Sequence, residues 1–144
     1  MSVKSVLAAV VVLATGCASV TEAPLPDLAQ VGQVPSPADV VLSVGTEVRV
    51  DSLLRVGFLD VPADSRCPSS VVCVWAGDGN VALAVAVGTG PSYPVHVHTT
   101  LDPRAVDAGG YRITLLDLMP YPDAPGDIAL DAYAVRLHVE RLNP

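Results

Sequence analysis

The sequence predicts an all-β fold, a single small antiparallel β-sandwich or partly open barrel of about seven strands with a short disulfide-closed loop. Two observations carry this. Apolar residues recur at every second position in runs of four to eight, and clusters of Gly, Pro and Asp separate the runs. No segment of the folded part sustains a helical period, and short strands with turn signals between them are the pattern of sandwiches and small barrels.

The elements follow in order. Val40-Val41-Leu42-Ser43-Val44 leads into the turn Gly45-Thr46, after which Glu47-Val48-Arg49-Val50 alternates. Leu54, Val56 and Phe58 share one face of the next run, with Arg55 opposite. Val72, Val74 and Trp75 suggest a further strand before the turn cluster Gly77-Asp78-Gly79-Asn80. Val81 to Val87 is an apolar strand broken by Gly88-Thr89-Gly90-Pro91. Val95 and Val97 then alternate with His96 and His98, and Tyr111, Ile113 and Leu115 with Arg112 and Thr114. Tyr133, Val135, Leu137 and Val139 alternate with Arg136, His138 and Glu140. These runs place the β domain at residues 40–144.

The N-terminus carries an address. Lys4 precedes the apolar run Val6 to Ala14, which is too short to span a bilayer and the right length for the core of a signal peptide. The run ends in Leu13-Ala14-Thr15-Gly16-Cys17-Ala18-Ser19. That segment resembles the lipobox of bacterial lipoproteins. The resemblance implies a signal peptide over residues 1–16, removed before Cys17, and a membrane anchor through lipid on Cys17. Ala18 in place of Asp resembles the pattern of lipoproteins sent to the outer membrane in organisms with two membranes. Several acyl chains give stable attachment, at about 0.8 kcal/mol per buried CH₂. Residues 17–39 carry Pro24, Pro26, Pro35 and Pro37 and no apolar period, so they read as a lipidated N-terminus and flexible tether.

With Cys17 assigned to lipid, Cys67 and Cys73 form an even pair in a compartment that permits disulfides. Structural zinc would need a second ligand pair, and the spacing is not that of a Cys-x-x-Cys redox motif, so a structural disulfide is the expectation. In strand geometry Trp75 shares a face with Cys73 and packs on or near the bridge. Arg66 and Asp64 pair at the loop rim, where exposed ion pairs contribute about 0 to 1 kcal/mol.

The segment Asp64-Ser65-Arg66-Cys67-Pro68, the Cys73-Val74-Trp75-Ala76-Gly77 that follows, and the later Pro120-Tyr121-Pro122 resemble a pattern of small, uncharacterised bacterial envelope proteins. The resemblance implies a β domain with a stapled loop and brings no activity with it.

Charge narrows the function classes. Without residues 1–16, seven arginines face fifteen acids, a net charge of −8, which disfavours nucleic acid and electrostatic docking to anionic lipid. No Gly-x-Ser-x-Gly elbow or phosphate-cradling glycine loop occurs, and no catalytic constellation or cofactor is expected. His96 and His98, two apart on a strand, present both imidazoles to one side, and His138 supplies a third ligand if its strand is adjacent. That leaves two expectations. The first is a non-enzymatic binding or structural module of the cell envelope with an envelope protein as partner, using Arg66, Trp75 and Tyr121 on the Cys67–Cys73 loop and the Pro120–Pro125 segment. The alternative is a periplasmic metal-binding protein built on His96 and His98.

Overall fold

The computed structural model describes residues 24–142, so the signal segment and Cys17 lie outside the described residues. These residues form nine strands: β1 (Ala29–Val34), β2 (Ala38–Ser43), β3 (Thr46–Val50), β4 (Leu54–Asp64), β5 (Gly79–Val87), β6 (Tyr93–His98), β7 (Ala105–Ala108), β8 (Tyr111–Met119) and β9 (Ala134–Arg141). They pair into two sheets, one ordered β1-β3-β4-β5-β6 and the other β2-β9-β8-β7. The fold is an open β-sandwich, as the alternation predicts, with nine strands in place of the expected seven or so.

The core is what the period-two pattern dictates. Val56, Phe58, Leu83 and Val85 from the first sheet meet Ile113, Leu115, Leu137 and Val139 from the second, all fully or almost fully buried. Each such side chain contributes about 1.5–3 kcal/mol on leaving water. All pairings are antiparallel except β1 with β3, which run parallel.

Two segments differ from the elements expected of them. Within residues 17–39, the part from Pro24 onward does not behave as a loose tether. β1 and the start of β2 lie there, and Leu28 packs with a methyl where a Cβ on Gly57 would stand. Gln30 Nε2 donates to Glu47 Oε1 at 2.8 Å, helping to bury a carboxylate on the outer face of the first sheet. β1 is a mostly exposed edge strand, so it has no alternation to read. Secondly, residues 72–75 are not a strand but part of the loop between β4 and β5.

The two ends of the sandwich differ. Tight turns close one end: Gly88 donates to Leu53 O, and Tyr111 Oη donates to Asp51 Oδ2 at 2.8 Å. The long connections gather at the other. Asp64 pairs with Gly79, Asn80 with His98 and Met119 with Ala134. The loops 65–78, 99–104 and 120–133 therefore leave the sheets on the same side.

Candidate functional site

The loop end is built from the 65–78 connection. Ser65 N donates to Asp78 O at 2.7 Å and Cys67 N to Ala76 O at 2.9 Å, continuing the β4–β5 ladder past the last strand residues. Cys67 and Cys73 are bridged, with Cα atoms 6.0 Å apart. The closed loop then docks on the β8–β9 connection. Ser69 N donates to Pro122 O at 2.9 Å and Ser70 N to Asp123 O at 3.1 Å. The two segments expected separately as contact surfaces are thus one surface. Opening the bridge with Cys67→Ser and Cys73→Ser is expected to cost about 2–2.5 kcal/mol from loop entropy, measured by urea unfolding beside the oxidised chain.

Beneath this surface sits Arg66. It is not the rim residue expected from sequence: it is 7% exposed. Its Nε donates to Asp64 Oδ1 at 2.9 Å and its Nη2 to Asp64 Oδ2 at 2.6 Å. Nη2 also donates to Pro120 O at 2.9 Å, and Nη1 to Leu118 O. The guanidinium lies 5.4 Å from the ring centroid of Tyr121, giving that face of the group a cation–π partner. The fork of a guanidinium suits this arrangement because one planar group ties β4 to two carbonyls at the end of β8.

Tyr133 completes the network by donating its Oη to Asp64 Oδ2 at 2.9 Å. Burial pushes the Asp64 carboxyl up, but the hydrogen bonds from Arg66 and Tyr133 and the arginine charge outweigh it and hold the carboxyl below its ordinary range. The phenol moves the other way. Burial first, then the bond to Asp64 and its charge, push Tyr133 up to about 12. A raised folded-state pKa gives stability that is complete below about pH 10, the unfolded value, and lost as pH rises through the folded one. Urea midpoints are expected to fall between pH 10 and 12. Tyr133→Phe is expected to flatten that fall and to cost about 1 kcal/mol at neutral pH.

Above this base the loop exposes apolar side chains. Val72 is 102% exposed, Val74 106% and Trp75 59%, with Val71 and Tyr121 also open to solvent. Residues 72–75 lack the strand geometry expected to place Trp75 and Cys73 on one face, and the indole is exposed to solvent. A cleft of about 570 Å³ opens beside the loop, lined among others by Asp60, Asp64, Asp127, Ile128, Leu130 and Tyr133. Asp60 Oδ1 accepts from Val61 N at 2.7 Å, and Pro62 has no N–H to offer, so the outer part of β4 is blunted against strand addition. The cleft lining includes Ser65 but no histidine that would serve it as a base. Ser65 Oγ is itself engaged, donating to Asp78 O and accepting from Asp78 N, both at 3.1 Å.

No family model matches the chain, and neither a curated protein nor a solved structure matches it. The site therefore has to be read from its own chemistry.

The histidines divide between the two sheets. His96 and His98 lie on the outer side of β6, with His96 Nδ1 2.9 Å from Asn80 Oδ1 and His98 Nδ1 2.7 Å from Asp78 Oδ2. His138 lies on the outer side of β9, with Nδ1 2.6 Å from Asp39 Oδ1. The sandwich core separates β6 from β9, so His138 is not a third ligand to an ion held by the other two. Among the described residues, no group of three or more His, Cys, Asp and Glu is placed to hold a metal ion. Asp78 has a structural task instead. Its Oδ1 accepts from Thr100 N at 2.9 Å and Leu101 N at 3.3 Å, which fixes the loop after β6.

Sequence reasoning located Cys67, Cys73, Trp75 and Tyr121 at this end and missed Tyr133 and Asp78. The available signal was chemical. Tyr133 opens an inward-facing register, and a buried phenol needs a hydrogen-bond partner.

Proposed function

We propose that this chain is a lipid-anchored envelope protein whose extracytoplasmic sandwich is a non-enzymatic binding module, with the loop end as its contact surface. The observation that carries the reading is the exposure of Val72, Val74 and Trp75 on a loop braced at its base. An apolar patch held out in water by an ordered scaffold often marks a contact surface. The bridge, the amides of Ser69 and Ser70 and the buried Arg66 supply that scaffold. The anchor rests on the lipobox resemblance at Cys17, and the expected partner is an envelope protein or another envelope component.

The test is a crosslinked pull-down of the intact chain from the cells that make it, beside Cys17→Ala and Val72→Asp/Val74→Asp variants. Enrichment of one envelope component by the intact chain, lost with the loop variant, is the expected result. Equal recovery by the loop variant would contradict the assignment of the surface. Release of the intact chain into the soluble fraction, unacylated, would contradict the anchor.

A further inference from the structure

We infer that the tip of the 65–78 loop seats on the interfacial region of an electrically neutral lipid bilayer. This names the partner chemistry of the contact surface proposed above and rests on that reading.

Charge selects the partner first. From Cys67 to Gly77 the chain carries no ionisable side chain other than the bridged cysteines, and Val71, Val72, Val74 and Trp75 supply its exposed apolar surface. Protein interfaces concentrate aromatic residues too, but they surround them with a polar rim and use about 800 Å² per partner. Four or five exposed side chains present only a few hundred Å², on the order of the area of two aromatic residues. That is well short of the area of a standard protein interface. It is enough for a bilayer contact, because each side chain entering the interface adds its own transfer free energy and no complementary shape is required. Tryptophan beside aliphatic residues is the composition that settles at the level of lipid headgroups.

Backbone hydrogen bonding sets the depth of the contact. Peptide groups that enter an apolar layer unpaired are costly. At the loop base the amides of Cys67, Ser69, Ser70 and Val71 are bonded, to Ala76, Pro122, Asp123 and Pro68, whereas those of Val72, Val74 and Trp75 have no backbone partner among the described residues, so the tip rests at the hydrated headgroup level and not in the hydrocarbon. Asp123 stands at the loop base and the whole chain is acidic, so anionic headgroups would be repelled rather than recruited. The contact is therefore apolar in origin, needs no anionic lipid, and on a neutral bilayer does not depend on salt.

Trp75 is the only tryptophan in the chain, so its emission reports on this loop and on nothing else. The purified full chain is mixed with phosphatidylcholine vesicles, with and without bromine on the acyl chains. The expected result is a blue shift of Trp75 emission and quenching by the brominated lipid, unchanged by high salt. Both should be lost in Val72→Asp/Val74→Asp at an unaltered thermal unfolding profile. Unchanged emission while the protein sediments with the vesicles would overturn the inference, because the association would then run through the N-terminus alone. A shift that follows protein concentration rather than lipid would also overturn it in favour of self-association. The parent reading fails separately: a silent Trp75 together with a loop-dependent protein partner in the pull-down leaves the binding module standing and removes only the lipid.

Discussion

Arg66→Met is expected to destabilise the fold by about 3 kcal/mol, because it leaves the Asp64 carboxylate, whose side chain is 11% exposed, charged with its principal partner gone. The carbonyls of Leu118 and Pro120 lose their donor at the same time. Urea unfolding under non-reducing conditions measures the loss. Asp64→Asn added to Arg66→Met is expected to recover part of it, since the unpaired charge is then removed. Arg66→Lys is expected to fall between the parent and Arg66→Met. A lysine keeps the charge, but it cannot hold two carboxylate oxygens and two carbonyls from one plane. The pH dependence follows in sign. Asp64 is held below its ordinary range in the fold, so its contribution is present above about pH 4 and is lost as pH falls through the depressed value. Acid sensitivity of that kind is expected in the parent and diminished in Asp64→Asn.

Among the described glycines, Gly77 should be the one least able to accept alanine. Gly77 has φ +73°, and a Cβ there would lie 1.8 Å from the carbonyl oxygen of Ser65 and 2.8 Å from Arg66 Cα. Both obstacles are backbone, held by the Ser65–Asp78 hydrogen bonds, so neither can move aside without opening the ladder. A loss of about 4 kcal/mol or more is expected. Gly88→Ala is the matched control. Its φ is +60°, but nothing lies within 4 Å of the added carbon, so only the left-handed strain of about 1–2 kcal/mol remains. Thermal unfolding of the two variants side by side separates steric exclusion from backbone preference.

Both substitutions act on features that no local pattern announces. The core strands were legible because their inner residues alternate: Leu54, Val56 and Phe58, then Tyr111, Ile113 and Leu115, all face inward as the period requires. The same rule misread Val72 and Val74. Two valines with one residue between them resemble a strand, yet no neighbouring strand is there to pair with them. β1 was lost for the opposite reason, since an exposed parallel edge strand has no buried face and Pro24 and Pro26 precede it. At the site, Cys67 and Cys73 were legible from cysteine arithmetic. Arg66 was noticed beside Asp64 but placed in water, because the carbonyls that bury it belong to residues more than fifty positions away. Burial of a charged side chain is a property of the assembled sandwich, and sequence proximity does not report it.

In the function proposed above, the braced loop end is where this protein meets its surroundings. A photo-crosslinking residue placed at Val72, in cells that produce the full chain, tests it most directly, with the same residue at Arg136 on the outer face of β9 as reference. The expected result is a crosslink from position 72, to lipid or to one envelope protein, at a yield well above that from position 136. Equal yields from the two positions, or a crosslink from position 136 alone, would move the contact surface off the loop.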